Sequence, residues 1–500
     1  MSQYKILLLI IIGMFSIYGS KAQNGVYDIT NFGAKNDGKT LCTEAIQKTI
    51  DKCAENGGGK VVVPPGKFLS GALFLKSNIC FEVMAGATLL FDDNIENTPI
   101  IDGRWEGIER KVYASIFTGH HLSNVSIIGR GTIDGQGEKW WNAHVETKKI
   151  RKQHGIHKVR EPENPEGCPL KVPRPRLVNL YNCTNVLISE LTFINSPSWT
   201  IHPVYCENIT IEKISIIQPY ESPNTDGIDP ESCKDVRILN CFIDCGDDCI
   251  TIKSGYNEDG RRVGIPCENV VISNCTFAHG RSAIGIGSEM SGGVKNVSIS
   301  NCVFNGTLRG LRIKTNRERG GTVENYRASN IVMSNVETAI SVDMYYGNKN
   351  SKPVPVSEKT PTFKNMHLSN ITATDVKNSV QIIGLPESPV DEFSIVNSSF
   401  KAENGFKIAF VNNLSLRDVS LTCSKDEIPL KINDATEILI DDFKMDHLTE
   451  GMPVINLNNV NEVLIRNCNV KQGTQQFVKA IDSDKIELMN NLLKGAKISK

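Results

Sequence analysis

Three aspartates in one part of the chain could carry out acid–base chemistry. Asp226 lies in the sequence NTDG (224–227), and Asp247 and Asp248 lie in GDDC (246–249). Like charges held close together raise the pKa of at least one carboxyl group, which leaves a protonated acid beside ionised neighbours. Glycoside hydrolysis needs this combination, an acid for the leaving oxygen and a base for water. A turn-capping or Ca²⁺-binding aspartate cluster fits the spacing equally well.

Basic residues follow the aspartates in chain order. His279 is followed by Arg281, and Arg312 and Lys314 are two residues apart, so they share one face of a strand. Arginine offers a carboxylate a bidentate fork and lysine a point charge, whereas His279 could hydrogen-bond the acid and hold its proton. A lone histidine is usually structural and such a basic pair is usually surface charge. Beside a carboxylate cluster, however, they favour a sugar that carries its own carboxylate.

A repeated phrase indicates how these residues are positioned. The phrase is an Asn or Asp followed by alternating aliphatic and polar residues, which predicts strands with one buried face. From Asn185 to Asn330 the phrase recurs at spacings of 23 to 34 residues, which are too short for strand–helix–strand units and predict a solenoid. The fold predicted is all-β, a right-handed parallel β-helix, with Asp226 and Asp248 on adjacent coils. The phrase starts at Asn124, Asn185, Asn208, Asp235, Asn269, Asn296, Asn330 and Asn370.

The fifteen cysteines have a structural interpretation. Five of them fall near equivalent places in the coils, where small apolar side chains suit an interior column. Most are expected to be buried thiols, although disulfides stay open because an exported chain permits them. Paired CxxC motifs are absent from the sequence, so no metal site is predicted. The five are Cys183, Cys206, Cys241, Cys275 and Cys302.

Two segments depart from the repeat. Residues 40–55 read as a short amphipathic helix that caps the N-terminal end of the solenoid. Residues 135–176 read as a long loop, with two tryptophans, several prolines and more basic than acidic residues. The loop is either a solvated insertion or a basic wall beside a groove for a polyanion.

The first residues predict export. Lys5, an apolar run and the small residues that end at Ala22 indicate a signal peptide over 1–22. Residues 23–115 are then expected to form the cap and first coils, and 116–490 the catalytic β-helix. No later run reaches 18 apolar residues, so no membrane span is expected and the product is secreted or periplasmic. The net charge of −1 excludes a uniformly polycationic surface for nucleic acid.

The motifs taken together resemble glycoside hydrolase family 28, the polygalacturonase family. The resemblance rests on NTD (224–226), GDD (246–248), HG (279–280) and RIK (312–314), with N-terminal support from 32–38 and 57–66. It implies an inverting hydrolase on a right-handed parallel β-helix that needs no cofactor. It also implies that Asp247 is the general acid and that Asp226 and Asp248 position and deprotonate the water. His279 would support the acid.

The resemblance also implies a substrate-binding set. Arg312 and Lys314 would bind the galacturonate beyond the scissile bond, and Asn224 and Arg281 are further substrate contacts. The family places a tyrosine near the leaving group, and either Tyr345 or Tyr346 matches it. Ala278 departs from the glycine that commonly precedes the histidine.

The leading hypothesis is therefore a secreted, monomeric hydrolase of α-1,4-galacturonosyl linkages in pectin. Exo action is favoured slightly, since the 135–176 segment could close one end of the groove. Three alternatives stay open: a rhamnogalacturonan or xylogalacturonan hydrolase of the same family, a Ca²⁺-dependent pectate lyase, and a non-catalytic polysaccharide-binding β-helix.

Overall fold

The computed structural model of the chain describes residues 25–156, 164–347, 352–424, 427–445 and 451–499. The signal peptide expected over residues 1–22 lies outside the described residues. Strands dominate, and almost all of them pair in parallel with the equivalent strand of the next coil. The right-handed parallel β-helix predicted from the sequence is confirmed.

The strands before residue 294 are all short, and the long strands, β25, β27 and β29 to β32, begin at or after it. Their bounds are β1 Gly25–Asp28, β2 Asp37–Leu41, β3 Gly59–Val63, β4 Gly66–Ser70, β5 Leu73–Phe74, β6 Ile79–Val83, β7 Ala87–Phe91, β8 Ile100–Trp105, β9 Ile108–Tyr113, β10 Phe117–His120, β11 Ser123–Ile128, β12 Thr132–Asp134, β13 Val178–Tyr181, β14 Thr184–Ser189, β15 Thr192–Ile194, β16 Ile201–Val204, β17 Glu207–Glu212, β18 Ser215–Ile217, β19 Lys234–Leu239, β20 Phe242–Asp244, β21 Asp248–Ile252, β22 Cys267–Ser273, β23 Thr276–Phe277, β24 Ser282–Ile286, β25 Val294–Asn305, β26 Arg309–Lys314, β27 Thr322–Ser334, β28 Thr338–Asp343, β29 Thr362–Ile383, β30 Val390–Cys423, β31 Leu430–Met445, β32 Pro453–Arg466, β33 Gln476–Ile481, β34 Asp484–Met489 and β35 Lys497–Ser499.

The strands form three parallel sheets that wind around a common interior. The first sheet runs from β1 through β3, β6, β11, β14, β17, β19 and β22 to β25, and the second from β2 through β4, β7, β12, β15, β18, β20 and β23 to β25. The third contains β5, β10, β13 and β16, isolated bridges at Ile228 and Glu231, and then β21, β24, β26 and β28. From β25 onward one strand continues around a corner and belongs to two sheets.

The third sheet keeps a strict register. Ile250 pairs with Ile284, Ile284 with Leu311, Leu311 with Ile340, and Ile340 with Val380. All five side chains are buried. Because side chains alternate along each strand, this apolar column fixes which neighbouring residues face outward, and that outer face carries the site described below.

At the corners, where the chain bends between sheets, asparagine side chains of successive coils hydrogen-bond to one another and form ladders. Asn296 donates from its side-chain amide to Asn269 at 2.9 Å and accepts from Asn325 at 2.9 Å. Its φ of 57° is left-handed, a conformation that asparagine tolerates better than most residues. The repeated sequence phrase, however, occurs at two different corners of the coil. Asn330 and Asn370 hydrogen-bond to each other in a second ladder, separate from the one that contains Asn296. Both corners need a left-handed residue before an alternating strand, so the two are indistinguishable in sequence.

The cysteines also occupy two columns where the sequence predicted one. Cys183 and Cys206 precede the first sheet, whereas Cys241, Cys275 and Cys302 lie between the first and second sheets. All fifteen cysteines fall in the described residues and are free thiols, most of them buried, as predicted. Burial raises the pKa of Cys267 to about 12, so such thiols stay protonated in the interior.

Three α-helices interrupt the strands in the described chain: α1 Thr43–Glu55, α2 Glu138–Gln153 and α3 Asn257–Val263. Helix α1 packs Ile46, Ile50 and Cys53 onto the first coils, as the predicted cap should. Short 3₁₀ turns lie at Ile29–Phe32 and Ile95–Asn97. None of these helices is long and apolar enough to cross a membrane.

Helix α2 corrects the expectation of a loop over 135–176. Trp140, Ala143 and Thr147 are buried at helical spacing, and the Trp140 ring meets Tyr113 edge-on at 5.2 Å between centroids. Tyr113 ends the antiparallel hairpin of β8 and β9, which the sequence did not predict. Helix α2 has too few apolar residues on one face to be recognised as a helix from the sequence alone, because the hairpin that covers this face was not predicted.

The corner ladders predict a difference between two substitutions at Asn296. Alanine loses the amide hydrogen bonds and also adopts a left-handed conformation that costs roughly 1–2 kcal/mol, whereas glycine loses only the bonds. We therefore expect Asn296→Ala to lower the free energy of unfolding by about 1 kcal/mol more than Asn296→Gly. Thermal unfolding of both variants measures this, with Ser298→Ala, an exposed position on the same strand, as control. Equal losses for alanine and glycine would contradict the left-handed requirement.

Candidate active site

The three predicted aspartates meet at the corner that precedes the third sheet. Carboxylate oxygens of Asp226, Asp247 and Asp248 lie within 4.8 Å of one another. Asp248 is the first residue of β21, and Asp247 occupies the bend before it. The Gly227 amide donates to the Asp248 carbonyl at 3.0 Å, which places Asp226 on the adjacent coil. A Cβ on Gly227 would lie 2.3 Å from the Cys249 carbonyl oxygen, so this approach requires glycine.

Asp248 is buried and ionised. Lys314, which lies two coils further on, reaches back so that its Nζ is 2.6 Å from Asp248 Oδ2, and Arg312 Nη1 lies 3.9 Å from Oδ1. Burial acts to raise the pKa of Asp248, but Lys314 and then Arg312 outweigh it and hold that pKa well below its usual range. The predicted basic pair therefore faces the predicted acid cluster directly.

Asp226 and Asp247 behave in the opposite way. Burial is the main cause that raises the pKa of Asp247, and the charge of Asp248 adds to it. Burial also raises the pKa of Asp226 well above its usual range, with Asp229 and Asp247 contributing. The cluster thus places carboxyl groups that favour the protonated form beside one that favours the ionised form, the combination that acid–base catalysis needs.

His279 and Arg281 lie at the rim of the cleft. His279 Nδ1 is 3.0 Å from Asp244 Oδ1, and the exposed ring meets Tyr220 edge-on at 5.9 Å between centroids. Arg281 Nε is 3.5 Å from Asp247 Oδ2. Arg281 thus contacts the cluster through Asp247, whereas the hydrogen bond of His279 goes to Asp244. Neither Asp244 nor Tyr220 carried a motif by which the sequence could have identified it.

The two candidate tyrosines point in different directions. The Tyr346 ring lies 5.4 Å from both the Arg312 guanidinium and the Lys314 ammonium. Tyr345 packs against Arg317, 5.1 Å from the ring centroid, and Arg317 binds Glu387. Tyr346 therefore lies beside the basic pair, whereas Tyr345 belongs to a neighbouring ion pair.

Arg174 joins the 135–176 segment to the cluster. It is fully buried, donates to the Pro197 carbonyl at 2.7 Å and to the Pro223 carbonyl at 2.9 Å, and binds Asn224 Oδ1 at 2.8 Å. Burial lowers the pKa of Arg174 to about 9, against the pull of Glu106, Asp226 and Asp247. The basic composition of this segment was the only sequence signal for it. Asn224 is held by Arg174 rather than pointing freely into the cleft.

A buried lysine lies beneath the cluster. Lys253 Nζ is 3.4 Å from Asp229 Oδ1, 3.6 Å from Glu289 Oε2 and 4.2 Å from the centre of the Trp199 ring. Burial raises the pKa of Asp229 to about 8, although Lys253 opposes this. The sequence analysis missed these residues because each is a single charged residue inside an apolar strand pattern.

A second buried network lies toward the N-terminal side. Glu231 accepts from Arg104 Nε at 2.5 Å and lies 3.0 Å from His202 Nε2. Arg176 donates to His202 Nδ1 at 3.1 Å, so His202 must carry its proton on Nε2 and donate it to Glu231. Burial lowers the pKa of His202 to about 4. The hairpin that carries Arg104 is thus tied to the β-helix by ionic bonds.

The aspartate cluster has a donor set that could hold a cation. Lys314 and Arg312 already give Asp248 the positive partners that a cation would otherwise supply. The arrangement therefore fits proton transfer without requiring a metal.

Comparison with known proteins identifies relatives of this chain. The profile of glycosyl hydrolases family 28 matches residues 53–402. A probable polygalacturonase of Vitis vinifera is 35% identical over 379 residues, or 74% of this chain and 73% of that protein. An endo-polygalacturonase of Pectobacterium carotovorum subsp. carotovorum is 32% identical over 63% of this chain and 75% of its own. The crystal structure of a hyperthermoactive exopolygalacturonase from Thermotoga maritima matches with a TM-score of 0.71 and 35% identity, covering 80% of this chain and 92% of that one.

The Lys314–Asp248 pair predicts a stability that depends on pH. Lys314→Met leaves a buried carboxylate with a weaker partner, and breaking such pairs costs about 3–5 kcal/mol. In the wild type the lowered pKa of Asp248 contributes stability above the unfolded value of about 3.9, and this contribution is lost as the pH falls below it. In the variant the pKa of Asp248 rises, so its ionised form destabilises the fold at neutral pH and protonation at lower pH relieves this.

Thermal unfolding midpoints of the wild type and Lys314→Met at pH 7 and pH 5 test this expectation. The deficit should shrink at pH 5, and Asp248→Asn/Lys314→Met should recover much of it at pH 7, because no buried charge is left alone. A deficit that the second substitution does not reduce would show that Lys314 acts through packing.

Proposed function

The chain belongs to glycosyl hydrolases family 28 and is a glycoside hydrolase, and we propose that it cleaves α-1,4-galacturonosyl linkages of pectin. The observation that carries the proposal is the geometry of the cluster, in which oxygens of Asp226, Asp247 and Asp248 lie within 4.8 Å of one another and Lys314 Nζ is 2.6 Å from Asp248 Oδ2. The raised pKa of Asp247 beside the lowered pKa of Asp248 agrees with an acid next to a base. The cations of Arg312 and Lys314 stand next to it and suit a substrate that carries a carboxylate on each sugar. The names of the relatives support the same substrate.

In the proposed mechanism, Asp247 gives its proton to the glycosidic oxygen as the bond from that oxygen to C1 breaks. A water molecule attacks C1 from the opposite face and gives a proton to Asp248, while Asp226 positions that water. Arg312 and Lys314 keep Asp248 ionised and bind the uronate on the leaving-group side, with Tyr346 beside them. We propose that Asp244 holds the ring of His279 in position and that the exposed side of this ring contacts the substrate.

Inversion of the anomeric carbon is part of the proposal, because the family resemblance implies it. The carboxyl groups of most inverting enzymes are about 6.5–9.5 Å apart. Here one oxygen from each of the three aspartates lies within 4.8 Å of the others, a closer spacing than that range, so inversion rests on the family resemblance. A retaining enzyme would instead use one carboxylate as a nucleophile, and the configuration of the first product separates the two.

Exo action and export complete the proposal. Helix α2 and the hairpin β8–β9 are inserted into coils that precede the aspartate cluster along the chain, and on that side they would limit how far a bound substrate extends. Relatives include both an endo-polygalacturonase and an exopolygalacturonase, so exo action rests on these two elements. Export rests on the signal peptide predicted over residues 1–22.

Removal of the proposed acid should abolish turnover. Asp247→Asn cannot donate the proton, and general acid catalysis contributes roughly 10²–10⁴-fold, so kcat on polygalacturonate should fall by at least a hundredfold. Reducing sugar released per unit time measures this. Asp375→Asn, an exposed substitution of the same type on a later coil, serves as control and should leave kcat unchanged. An active Asp247→Asn enzyme would refute the assignment, and a wild type that binds galacturonan without cleaving it would make the protein a binding module.

Product analysis should distinguish hydrolysis from elimination. Hydrolysis gives products without 4,5-unsaturation, whereas a Ca²⁺-dependent lyase gives products that absorb in the ultraviolet. We expect activity to survive EDTA, short saturated galacturonides to be released from the chain end, and NMR to show the β-anomer first. Ultraviolet-absorbing products would establish the lyase alternative. Cleavage of rhamnogalacturonan in preference to polygalacturonate would instead assign a different substrate within the family.

A further inference from the structure

The short segment from His279 to Arg281 lies directly against the bend that carries Asp247. The Arg281 amide donates to the Asp247 carbonyl at 2.7 Å, and Cys249 Sγ donates to the His279 carbonyl at 2.9 Å. Gly280 has a φ of 146°, and a Cβ on it would lie 2.8 Å from the Asp247 carbonyl oxygen. The close approach therefore requires glycine at 280, and it fixes where the two flanking side chains leave the backbone.

The register of the third sheet places Arg281 next to Asp247 along the axis. Asp248 pairs with Ser282 of the next coil, so the residues before them, Asp247 and Arg281, occupy equivalent positions on adjacent coils. Equivalent positions lie about 4.7–4.9 Å apart. The side chains meet as well, since Arg281 Nε is 3.5 Å from Asp247 Oδ2. The stacking of coils thus gives the proposed acid a cationic partner from the next coil.

His279 lies two residues earlier and meets other groups. Its carbonyl accepts from the Cys245 amide at 3.4 Å, so its equivalent on the preceding coil is Cys245 and not an aspartate of the cluster. Its Nδ1 lies 3.0 Å from Asp244 Oδ1. A Cβ on Gly306, one coil later, would lie 3.4 Å from the His279 ring, so the ring lies against that coil. The family resemblance implies that the histidine supports the acid, but the ion pair with the acid belongs to Arg281.

Several charged groups act on Asp247 besides Arg281. Burial and then the charge of Asp248 raise the pKa of Asp247, and among the cations that oppose this Arg281 has the largest effect. An acid whose pKa is too high donates its proton poorly, so a cation beside it assists donation. The charged groups that act on Asp247 are Asp226, Asp248, Arg174, Lys253, Arg281 and Lys314. Of these cations Arg281 is the exposed one, so replacing it disturbs the fold least.

We propose that Arg281 is the positioning residue of the proposed acid, and that its guanidinium holds the carboxyl group of Asp247 in the orientation that delivers the proton to the glycosidic oxygen. Arg281 thereby takes the role that the family resemblance implies for His279, which is left with a substrate contact. This assignment rests on the proposed function and deepens it. The competing role for Arg281 is a direct contact with a carboxylate of the substrate, and the experiment separates the two.

Steady-state kinetics on short oligogalacturonates compares Arg281→Gln, Arg281→Lys and His279→Gln. For Arg281→Gln we expect kcat to fall about tenfold or more, because a misplaced acid loses much of the roughly 10²–10⁴-fold that general acid catalysis contributes. The KM should stay within about twofold of the wild type, since substrate binding is not altered. The alkaline limb of kcat against pH, where the acid loses its proton, should move to higher pH because the cation that lowers its pKa is gone.

The other variants identify the source of this change. Arg281→Lys keeps the charge and should recover much of kcat, whereas His279→Gln should leave the alkaline limb in place. Arg130→Gln is the matched control, because Arg130 is exposed and its Nε lies 3.6 Å from Glu190 Oε2 at a corner between the first and second sheets. Its kcat and KM should equal those of the wild type. Thermal unfolding midpoints confirm that each variant is folded.

Three kinetic results would overturn the proposal. A raised KM with unchanged kcat in Arg281→Gln would make Arg281 a substrate contact. A fall in kcat and a shifted alkaline limb in His279→Gln would return the role to the histidine. A further loss when Arg281→Gln is added to Asp247→Asn would show that Arg281 acts independently of the carboxyl group, whereas the proposal expects no further loss.

A spectroscopic measurement makes the result independent of turnover. In protein labelled with ¹³C at the aspartate carboxyl groups, the NMR signal that Asp247→Asn removes identifies Asp247. This signal should shift in Arg281→Gln and keep its position in His279→Gln and Arg130→Gln. A signal that does not move in Arg281→Gln would overturn the proposal. A wild type that cleaves no galacturonan would refute the proposed function, while the NMR signal would still decide whether Arg281 holds Asp247.

Discussion

The structure depends on the parallel, in-register hydrogen bonding of one coil to the next. Each residue of a strand pairs with its equivalent one coil later, as in the series from Ile250 through Ile284 to Leu311. This pairing stacks like on like, which suits apolar side chains and asparagine amides. The amides bond along the axis at 2.8–2.9 Å between Asn185, Asn208 and their neighbours. The same constraint forces carboxylates on adjacent coils to within a few ångströms of each other.

Stacked carboxylates need positive partners, and most of these come from other coils. Lys314 reaches back two coils to Asp248, and Arg174 reaches forward two coils to Asn224. Lys253 stands between Asp229 and Glu289, and Arg104 arrives from the hairpin to bind Glu231. Unequal compensation by positive charge is what differentiates the carboxyl groups of the proposed catalytic cluster. Asp248 receives two cations and stays ionised, whereas burial leaves Asp247 and Asp226 with raised pKa values.

Helix α2 and the hairpin β8–β9, which are inserted into the regular coils of the β-helix, shape its cleft. Helix α2 and the hairpin β8–β9 pack on each other through Tyr113 and Trp140 and close off a basic cavity. The hairpin is anchored below by the pairing of Arg104 with Glu231 and by the stacking of Trp105 on Trp199. These contacts attach the two inserted elements firmly to the β-helix, so they lie at a fixed distance from the aspartate cluster. A solenoid of regular coils alone would leave its groove open at both ends.

The sequence determined the features that are local or periodic. Alternation in the phrases at Asn185, Asn208 and Asn269 predicted the strands and their coils, and the 224–226 and 246–248 motifs predicted a shared acidic corner. The capping helix was predicted from a local apolar pattern, and the buried thiols were predicted because their positions follow the repeat of the coils. Only the tertiary structure decided what depends on residues far apart in the chain. It separated two ladders that look alike in sequence, chose Tyr346 over Tyr345 for the basic pair, and directed His279 to Asp244. It also made part of a predicted loop a helix and brought Lys253 and Arg174 to the site. Those outcomes depend on contacts between coils and on contacts with the inserted elements. The sequence repeat does not determine how long those insertions are.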